Sequence, residues 1–172
     1  SRIMREKGIE EYLKTAEVIR NKYPKVYFHI CGFCEEEYQD RLKQLQDQGT
    51  IIYHGMVSDV REVLKKVHGG VLPSYHEGMS NALLEAAACG RPVLASKIPG
   101  CQETFDDGVT GIGFASRSSD SLIKAIETFI SLPYEEKKSM GLAARKKMEK
   151  EFDRKQVVDS YMNDIEAATN KR

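Results

Sequence analysis

The sequence predicts an α/β fold with a doubly wound parallel sheet. Short apolar runs alternate with longer amphipathic stretches along all 172 residues. The short runs are nearly continuous in apolar character, which is typical of parallel strands covered on both faces. The chain contains no internal repeat, low-complexity segment or linker. Regular alternation of strand and helix therefore favours one domain over residues 1–172.

Five runs predict the strands. They share β-branched and aromatic residues, which fit a pleated surface, and they cover residues 25–31, 50–54, 70–73, 92–96 and 110–115. Parallel α/β sheets bind ligands beyond the carboxyl ends of their strands. The residues that directly follow each strand are therefore the candidates for a functional site.

Seven stretches between and after the strands predict helices. Their apolar residues recur at helical spacing, over residues 6–22, 35–48, 58–67, 80–89, 118–132, 133–151 and 154–168. Ser58 and Asp59 are suited to cap the third helix. Pro133 suits the start of the sixth helix, and the two glutamates that follow it match the helix dipole.

Composition excludes several classes of protein. Hydrophobic residues make up 41% and charged residues 30% of the chain, which is a globular composition. Lys and Arg number 26 and balance 26 Asp and Glu, whereas a dedicated nucleic-acid binder carries a basic excess. No apolar run is long enough to span a bilayer. Four cysteines are too few for a disulfide scaffold, so we expect reduced thiols in a cytoplasmic protein.

The loop after the third strand carries the strongest chemical signal. It leads through Gly78 into a helix that starts near Ser80 or Asn81, and the N–H groups at such a start favour an anion, especially phosphate. Glu77 precedes this start and Glu85 lies about one turn inside it. Carboxylates suit paired sugar hydroxyls, so the pattern fits a nucleotide sugar. A solvated loop glutamate and a dipole-favoured helix glutamate fit the spacing equally well.

The residues from Pro73 to Val93 resemble the signature of glycosyltransferase family 4. Its hallmark is a pair of glutamates separated by seven residues, within P-S-x-x-E-G…L-E-A-x-A-x-G-x-P-V. Residues 99–103 and 107–111 are similar to the next block of that family. The first eight residues are similar to its R-x4-K-G segment. Three blocks in the right order cover essentially the whole chain.

This resemblance implies the GT-B fold, in which two Rossmann-like domains face a cleft. The chain is similar to the C-terminal, donor-binding domain, with the N-terminal acceptor domain absent, so we expect the chain alone to be inactive. In the family a hydrophobic strand at the centre of the sheet precedes the R-x4-K segment. Here the chain begins at Ser1, so we expect that strand to be missing and the sheet to be incomplete.

The resemblance also implies roles for individual residues. Arg2 and Lys7 would bind the donor diphosphate and, with Glu77, form the catalytic group; fixed cations stabilise a departing diphosphate. Glu85 would bind the ribose hydroxyls. The other implied donor contacts are backbone or loop positions: Gly78, Met79, Ser80 and Asn81 for sugar and phosphate, Gly32 in the loop after the first strand, and Met56 and Val57 for the base.

The family retains anomeric configuration and needs no metal or other cofactor. The segment from Gly78 to Glu85 is most similar to bacterial enzymes of surface-glycan synthesis. UDP is therefore the expected nucleotide, and a glycan or a lipid-linked acceptor is the expected partner.

Two alternatives to a transferase remain. Cys31-Gly-Phe-Cys34 follows a strand and precedes a helix, where a thioredoxin-like redox motif lies. A non-catalytic α/β binding module would keep the fold and lose the chemistry.

A peripheral contact with the inner membrane face is a further expectation. It rests on a basic group at Arg145, Lys146, Lys147 and Lys150. The glutamates interleaved with these residues favour an ordinary solvated helix face instead.

Overall fold

All five predicted strands form, with tighter bounds. The computed structural model describes residues 2–34 and 36–169, with Glu36 described by its backbone alone. The strands are β1 (Phe28–Ile30), β2 (Ile51–Tyr53), β3 (Gly70–Leu72), β4 (Val93–Ser96) and β5 (Gly111–Phe114). The helices are α1 (Ile9–Lys22), α2 (Glu36–Asp47), α3 (Arg61–Leu64), α4 (Asn81–Ala88), α5 (Ser119–Ser131), α6 (Tyr134–Glu151) and α7 (Arg154–Thr169).

Every strand pairing is parallel, which confirms the predicted class. The strands form two sections, β1–β2 and β3–β4–β5. In the first section Phe28 pairs with Ile51; in the second, Val93 of the central strand lies between Gly70 and Gly111. We call these the two-stranded and the three-stranded section.

A cavity of about 510 Å³ separates the two sections. Its lining includes β1 residues 28–30 on one side and β3 residues 70–72 on the other. No strand of the described residues occupies it. Ile3 lines one end of this cavity and forms a parallel bridge with Cys34, just beyond β1. This interruption agrees with the expectation of an incomplete sheet.

Two helix predictions were wrong in detail. The predicted helix over 6–22 is a 3-10 turn (Arg5–Lys7) followed by α1, because Gly8 adopts a left-handed conformation with φ of 72°. The predicted helix over 58–67 is shortened to the four residues of α3. The carboxylate of Asp59 accepts the backbone N–H of Arg61, the first residue of α3, at 3.0 Å.

Apolar side chains pack in two clusters on the two sides of this arrangement. The larger one joins α1, α2 and α5 to the two-stranded section and includes Leu13, Leu42 and Leu122. The smaller one joins α4 and α6 to the three-stranded section. All four residues of β4 are buried. The strand ends that carry the predicted site are thereby held against packed helices.

Candidate functional site

The loop after β3 meets the N-terminal segment of the chain. Lys7 Nζ lies 2.7 Å from Glu77 Oε1, although the two residues are 70 positions apart in sequence. Their side chains are 24% and 11% exposed. The fold therefore brings together two residues that the resemblance placed in one catalytic group.

Two contacts hold this ion pair in place. The hydroxyl of Ser74 donates to the same Glu77 oxygen at 2.8 Å. Gly8, next to Lys7, lies so close to β3 that a Cβ at this position would meet the Pro73 carbonyl oxygen at 2.0 Å. Only glycine combines that approach with a φ of 72°.

The start of α4 presents open backbone donors. Ser80 is its N-cap, with its hydroxyl accepting the N–H of Leu83, and its own N–H donates to Gly100 O at 3.0 Å. The N–H groups of Asn81 and Ala82 make no hydrogen bond among the described residues. N–H groups at a helix start attract phosphate. Ser80 is less available for the predicted contact with the donor, because it is buried and its hydroxyl and N–H are both hydrogen-bonded within the protein.

The segment between Glu77 and α4 is open on one side and supported on the other. Gly78 and Met79 are exposed, and a side chain at Gly78 would project into open space. Behind them lies Gly100, where a Cβ would meet the carbonyl oxygens of Glu77 and Gly78 at 2.4 and 2.6 Å. The carboxylate of Glu103 accepts the Gly100 N–H at 2.7 Å.

The second glutamate of the motif lies on α4 as predicted. Glu85 is exposed, as is Asn81 one turn earlier. Within the described part of the chain the Glu85 carboxylate has no hydrogen bond or ion pair, while the Glu85 backbone oxygen accepts the N–H of Cys89. Its carboxylate is therefore open to a ligand, and nothing in its surroundings demands a structural role.

The remaining predicted donor contacts lie at the ends of β1 and β2. Gly32 donates its N–H to Gly55 O at 2.8 Å, and Tyr53 donates its hydroxyl to Gly32 O at 3.0 Å. Met56 is 78% exposed and Val57 is half-buried. Arg2 is exposed and adjoins this loop, because Ile3 N–H donates to Phe33 O at 2.8 Å.

The cysteines of the C-x-x-C motif are reduced. Cys34 is buried and Cys31 half-buried. Burial raises the pKa of the Cys31 thiol, whereas a redox-active cysteine requires a lowered one. This environment does not favour the redox alternative.

Sequence reasoning missed three residues that support the site: Ser74, Tyr75 and Glu103. Ser74 and Glu103 lie three residues from their partners, Glu77 and Gly100, so their spacing was a usable signal. Tyr75 donates its hydroxyl to Glu11, 64 positions away, at 2.8 and 2.9 Å to the two carboxylate oxygens. No local pattern signals that contact.

Two of the four basic residues in the predicted group on α6 form ion pairs within the fold, whereas Lys146 and Lys150 are exposed. Arg145 pairs with Glu149 at 2.7 Å, and Lys147, 12% exposed, pairs with Asp106 and Glu151. No helix in the described ranges is both long and apolar enough to cross a bilayer. Those ranges also contain no group of three or more His, Cys, Asp or Glu side chains arranged to hold a metal ion.

Residues 1–147 match the family model of glycosyl transferases group 1. One relative is the N,N'-diacetylbacillosaminyl-diphospho-undecaprenol alpha-1,3-N-acetylgalactosaminyltransferase of Campylobacter jejuni, 28% identical over 83% of this chain and 36% of its own length. Another is the capsular polysaccharide biosynthesis glycosyltransferase CapM of Staphylococcus aureus, 26% identical over 88% of this chain and 40% of its own.

A solved structure confirms the fold. Anabaena HepE in complex with UDP-glucose has a TM-score of 0.81 and 21% identity, over 95% of this chain and 47% of that one. The chain thus spans less than half the length of each of these three proteins.

Proposed function

The chain belongs to the glycosyl transferases group 1 family, and on that premise we propose that it is the donor-binding domain of a retaining glycosyltransferase. The observation that carries the proposal is the Lys7–Glu77 pair of 2.7 Å beside the open start of α4. It joins the two sequence blocks of the family at the carboxyl ends of the strands, where α/β sheets bind ligands.

The donor is a nucleotide sugar, with UDP as the nucleotide. The N–H groups of Asn81 and Ala82 bind phosphate oxygens, and Lys7 and Arg2 neutralise the diphosphate. Glu85 accepts hydrogen bonds from the ribose hydroxyls, because a free carboxylate offers two acceptor oxygens to adjacent hydroxyls. UDP-glucose in the solved HepE complex supports the choice of UDP.

In the reaction the bond between sugar C1 and the diphosphate oxygen breaks, an acceptor hydroxyl oxygen bonds to C1 with the configuration retained, and the hydroxyl proton passes to the departing diphosphate oxygen. Negative charge develops on the departing diphosphate. Lys7 and Arg2 stabilise that charge as fixed cations in a partly shielded site. No metal is assigned a step. Glu77 contacts the transferred sugar while Lys7 and Ser74 hold its orientation.

The acceptor is a glycan or a lipid-linked saccharide, bound by the N-terminal domain of the GT-B arrangement. The Campylobacter relative, whose printed activity uses a diphospho-undecaprenol saccharide, and the capsular relative support this class. We place the reaction in the cytoplasm. The intramolecular ion pairs of Arg145 and Lys147 leave Lys146 and Lys150 as the exposed lysines of the basic group on α6, which is a weak basis for membrane contact.

Calorimetric titration of the purified chain with UDP, GDP and ADP tests the donor. We expect selective binding of UDP. Selective binding of GDP or ADP would replace the nucleotide while leaving the family intact, and binding of none of the three would contradict a donor site formed by this domain alone.

Single variants test the assigned contacts. Glu85→Gln should weaken the binding of UDP and of uridine alike, by about 1–3 kcal/mol, the scale of a hydrogen bond to a charged group. Lys7→Met should weaken the binding of UDP far more than that of uridine, because uridine carries no diphosphate. Glu136→Gln, at an exposed position in the first turn of α6, is the matched control and should change neither affinity.

A further inference from the structure

We propose that Tyr75 is a positioning residue that aligns Lys7 with Glu77 by fastening the N-terminal segment to the loop after β3. This inference rests on the proposed function, because the alignment matters for binding a diphosphate. Tyr75 lies two residues before Glu77 and is half-buried. It belongs to none of the motif positions that the family resemblance assigned.

Tyr75 makes two separate contacts with the segment that carries Lys7. Its backbone N–H donates to Glu6 O at 2.8 Å, directly before Lys7. Its hydroxyl donates to both oxygens of Glu11, at 2.8 and 2.9 Å, in the first turn of α1. Lys7 therefore lies between two points that the same residue holds.

Tyr75 also connects this assembly to the loop after β5. The Arg117 guanidinium lies 4.7 Å from the centre of the Tyr75 ring, a stacking distance for a cation on an aromatic face. Next to it, Ser116 donates its hydroxyl to Ser74 O at 3.2 Å. Three chain segments thus meet at one aromatic side chain.

The hydrogen bond to Glu11 persists at neutral pH. Burial, and after it the hydrogen bond and the charge of Glu11, raise the pKa of the Tyr75 phenol above its usual value of 10.0. The phenol therefore keeps its proton and donates it to a carboxylate, which makes the bond a charge-assisted one.

These contacts act on Lys7 because they span the same boundary as the ion pair. The Tyr75–Glu11 bond and the Lys7–Glu77 pair both join the N-terminal segment to the β3 loop. Loss of one bond lets the two segments separate further, which weakens the other, so the two are energetically coupled. A tyrosine that only stabilised the fold would leave the ratio of UDP affinity to uridine affinity unchanged.

A double-mutant cycle measures the coupling without any ligand. Tyr75→Phe, Lys7→Met and the double variant are compared with the unaltered chain by urea unfolding. We expect the double variant to lose less free energy of unfolding than the two single losses combined. Strict additivity overturns the proposal.

The matched control uses Tyr53, whose hydroxyl donates to Gly32 O at 3.0 Å in the two-stranded section. Tyr53→Phe removes the same group from a similar bond, so its cycle with Lys7→Met should be additive. Glu11→Gln, which keeps an acceptor oxygen for Tyr75, should show weaker coupling to Lys7 than Tyr75→Phe does. Coupling of Tyr53 to Lys7 as strong as that of Tyr75 contradicts a specific role.

The second readout is the ratio of UDP affinity to uridine affinity. Tyr75→Phe should lower UDP affinity about fivefold, the scale of one net hydrogen bond, and uridine affinity less than about twofold. Glu136→Gln, at an exposed position of α6 outside the proposed donor site, should leave the ratio unchanged. If the unaltered chain prefers UDP and Tyr75→Phe leaves the ratio unchanged, the positioning role of Tyr75 is contradicted, whereas the proposed donor site is not. If the cycle shows coupling but the unaltered chain does not prefer UDP over uridine, the proposed function fails instead.

Discussion

The two sections of the sheet differ in how firmly they support the loops at their ends. In the three-stranded section the central strand β4 is wholly buried, and the following loops are held at Gly8 and Gly100 by backbone contacts that admit no side chain. In the two-stranded section Ile52 is 38% exposed and Met56 is 78% exposed. A Cβ at Gly55, in the loop after β2, would meet no atom within 4 Å.

The two sections of the sheet contact different parts of the proposed donor. In the proposal, the sugar and phosphate contacts at Glu77 and the start of α4 follow β3, where Gly100 supports the chain closely, whereas the base contacts at Met56 and Val57 belong to the open loop after β2. Close packing keeps catalytic groups aligned before the ligand arrives, which favours stabilisation of the transition state. An open base site contributes binding rather than alignment.

The largest expected effect compares a buried residue of β4 with a solvent-exposed residue of β2. Leu94→Ala in β4 should lower the free energy of unfolding by about 2–5 kcal/mol, because Leu94 is 1% exposed and its truncation leaves a cavity. Ile52→Ala in β2 should cost about 1 kcal/mol, because that side chain already contacts solvent. Urea unfolding of both variants checks this. Equal losses would mean that the two sections are packed alike.

The next effect compares two glycines with positive φ. Gly100→Ala should destabilise the chain by about 3 kcal/mol, through its φ of 81° and the clash with Glu77 and Gly78. Gly55→Ala has a similar φ of 66° and no clash, so about 1–2 kcal/mol is expected. Thermal or urea unfolding distinguishes the two. A Gly55 variant as unstable as the Gly100 variant would show that the loop after β2 is also closely supported.

The smallest effect is a dependence on pH that originates in the two-stranded section. Burial, followed by the nearby charges of His54 and Lys66, lowers the pKa of His29 from 6.5, and His29 Nδ1 lies 2.9 Å from His54 Nε2. The folded chain then binds this proton more weakly than the unfolded chain. Stability contributed by neutral His29 is full above pH 6.5 and falls as the pH drops through that value.

Urea unfolding between pH 8 and pH 5 measures this dependence. His29→Gln should reduce the loss of stability on acidification. His76→Gln, exposed in the loop after β3, is the control and should leave it unchanged. A pH dependence that survives in the His29 variant would assign the effect to other groups.

Local patterns predicted the elements because each pattern has a local cause. The β-branched runs became β1 to β5, and Ser80 caps α4 at the predicted place because its side chain suits that position. The break at Gly8 was missed. A glycine within a helical pattern does not disclose that the Pro73 carbonyl lies against it. The shortness of α3 was also missed, because residues 66 and 67 continue in i→i−3 hydrogen bonds that the apolar spacing does not distinguish from an α-helix.

Residue type and spacing along the chain were enough to predict the parallel α/β class, the family and the blocks that contain Lys7, Glu77 and Glu85. Which of these residues meet became apparent from the folded structure alone. It paired Lys7 with Glu77 across 70 positions, left Glu85 exposed, and made Tyr75 the contact between three segments. Contacts between distant segments arise from how strands and helices pack, and a local pattern contains no information on that packing.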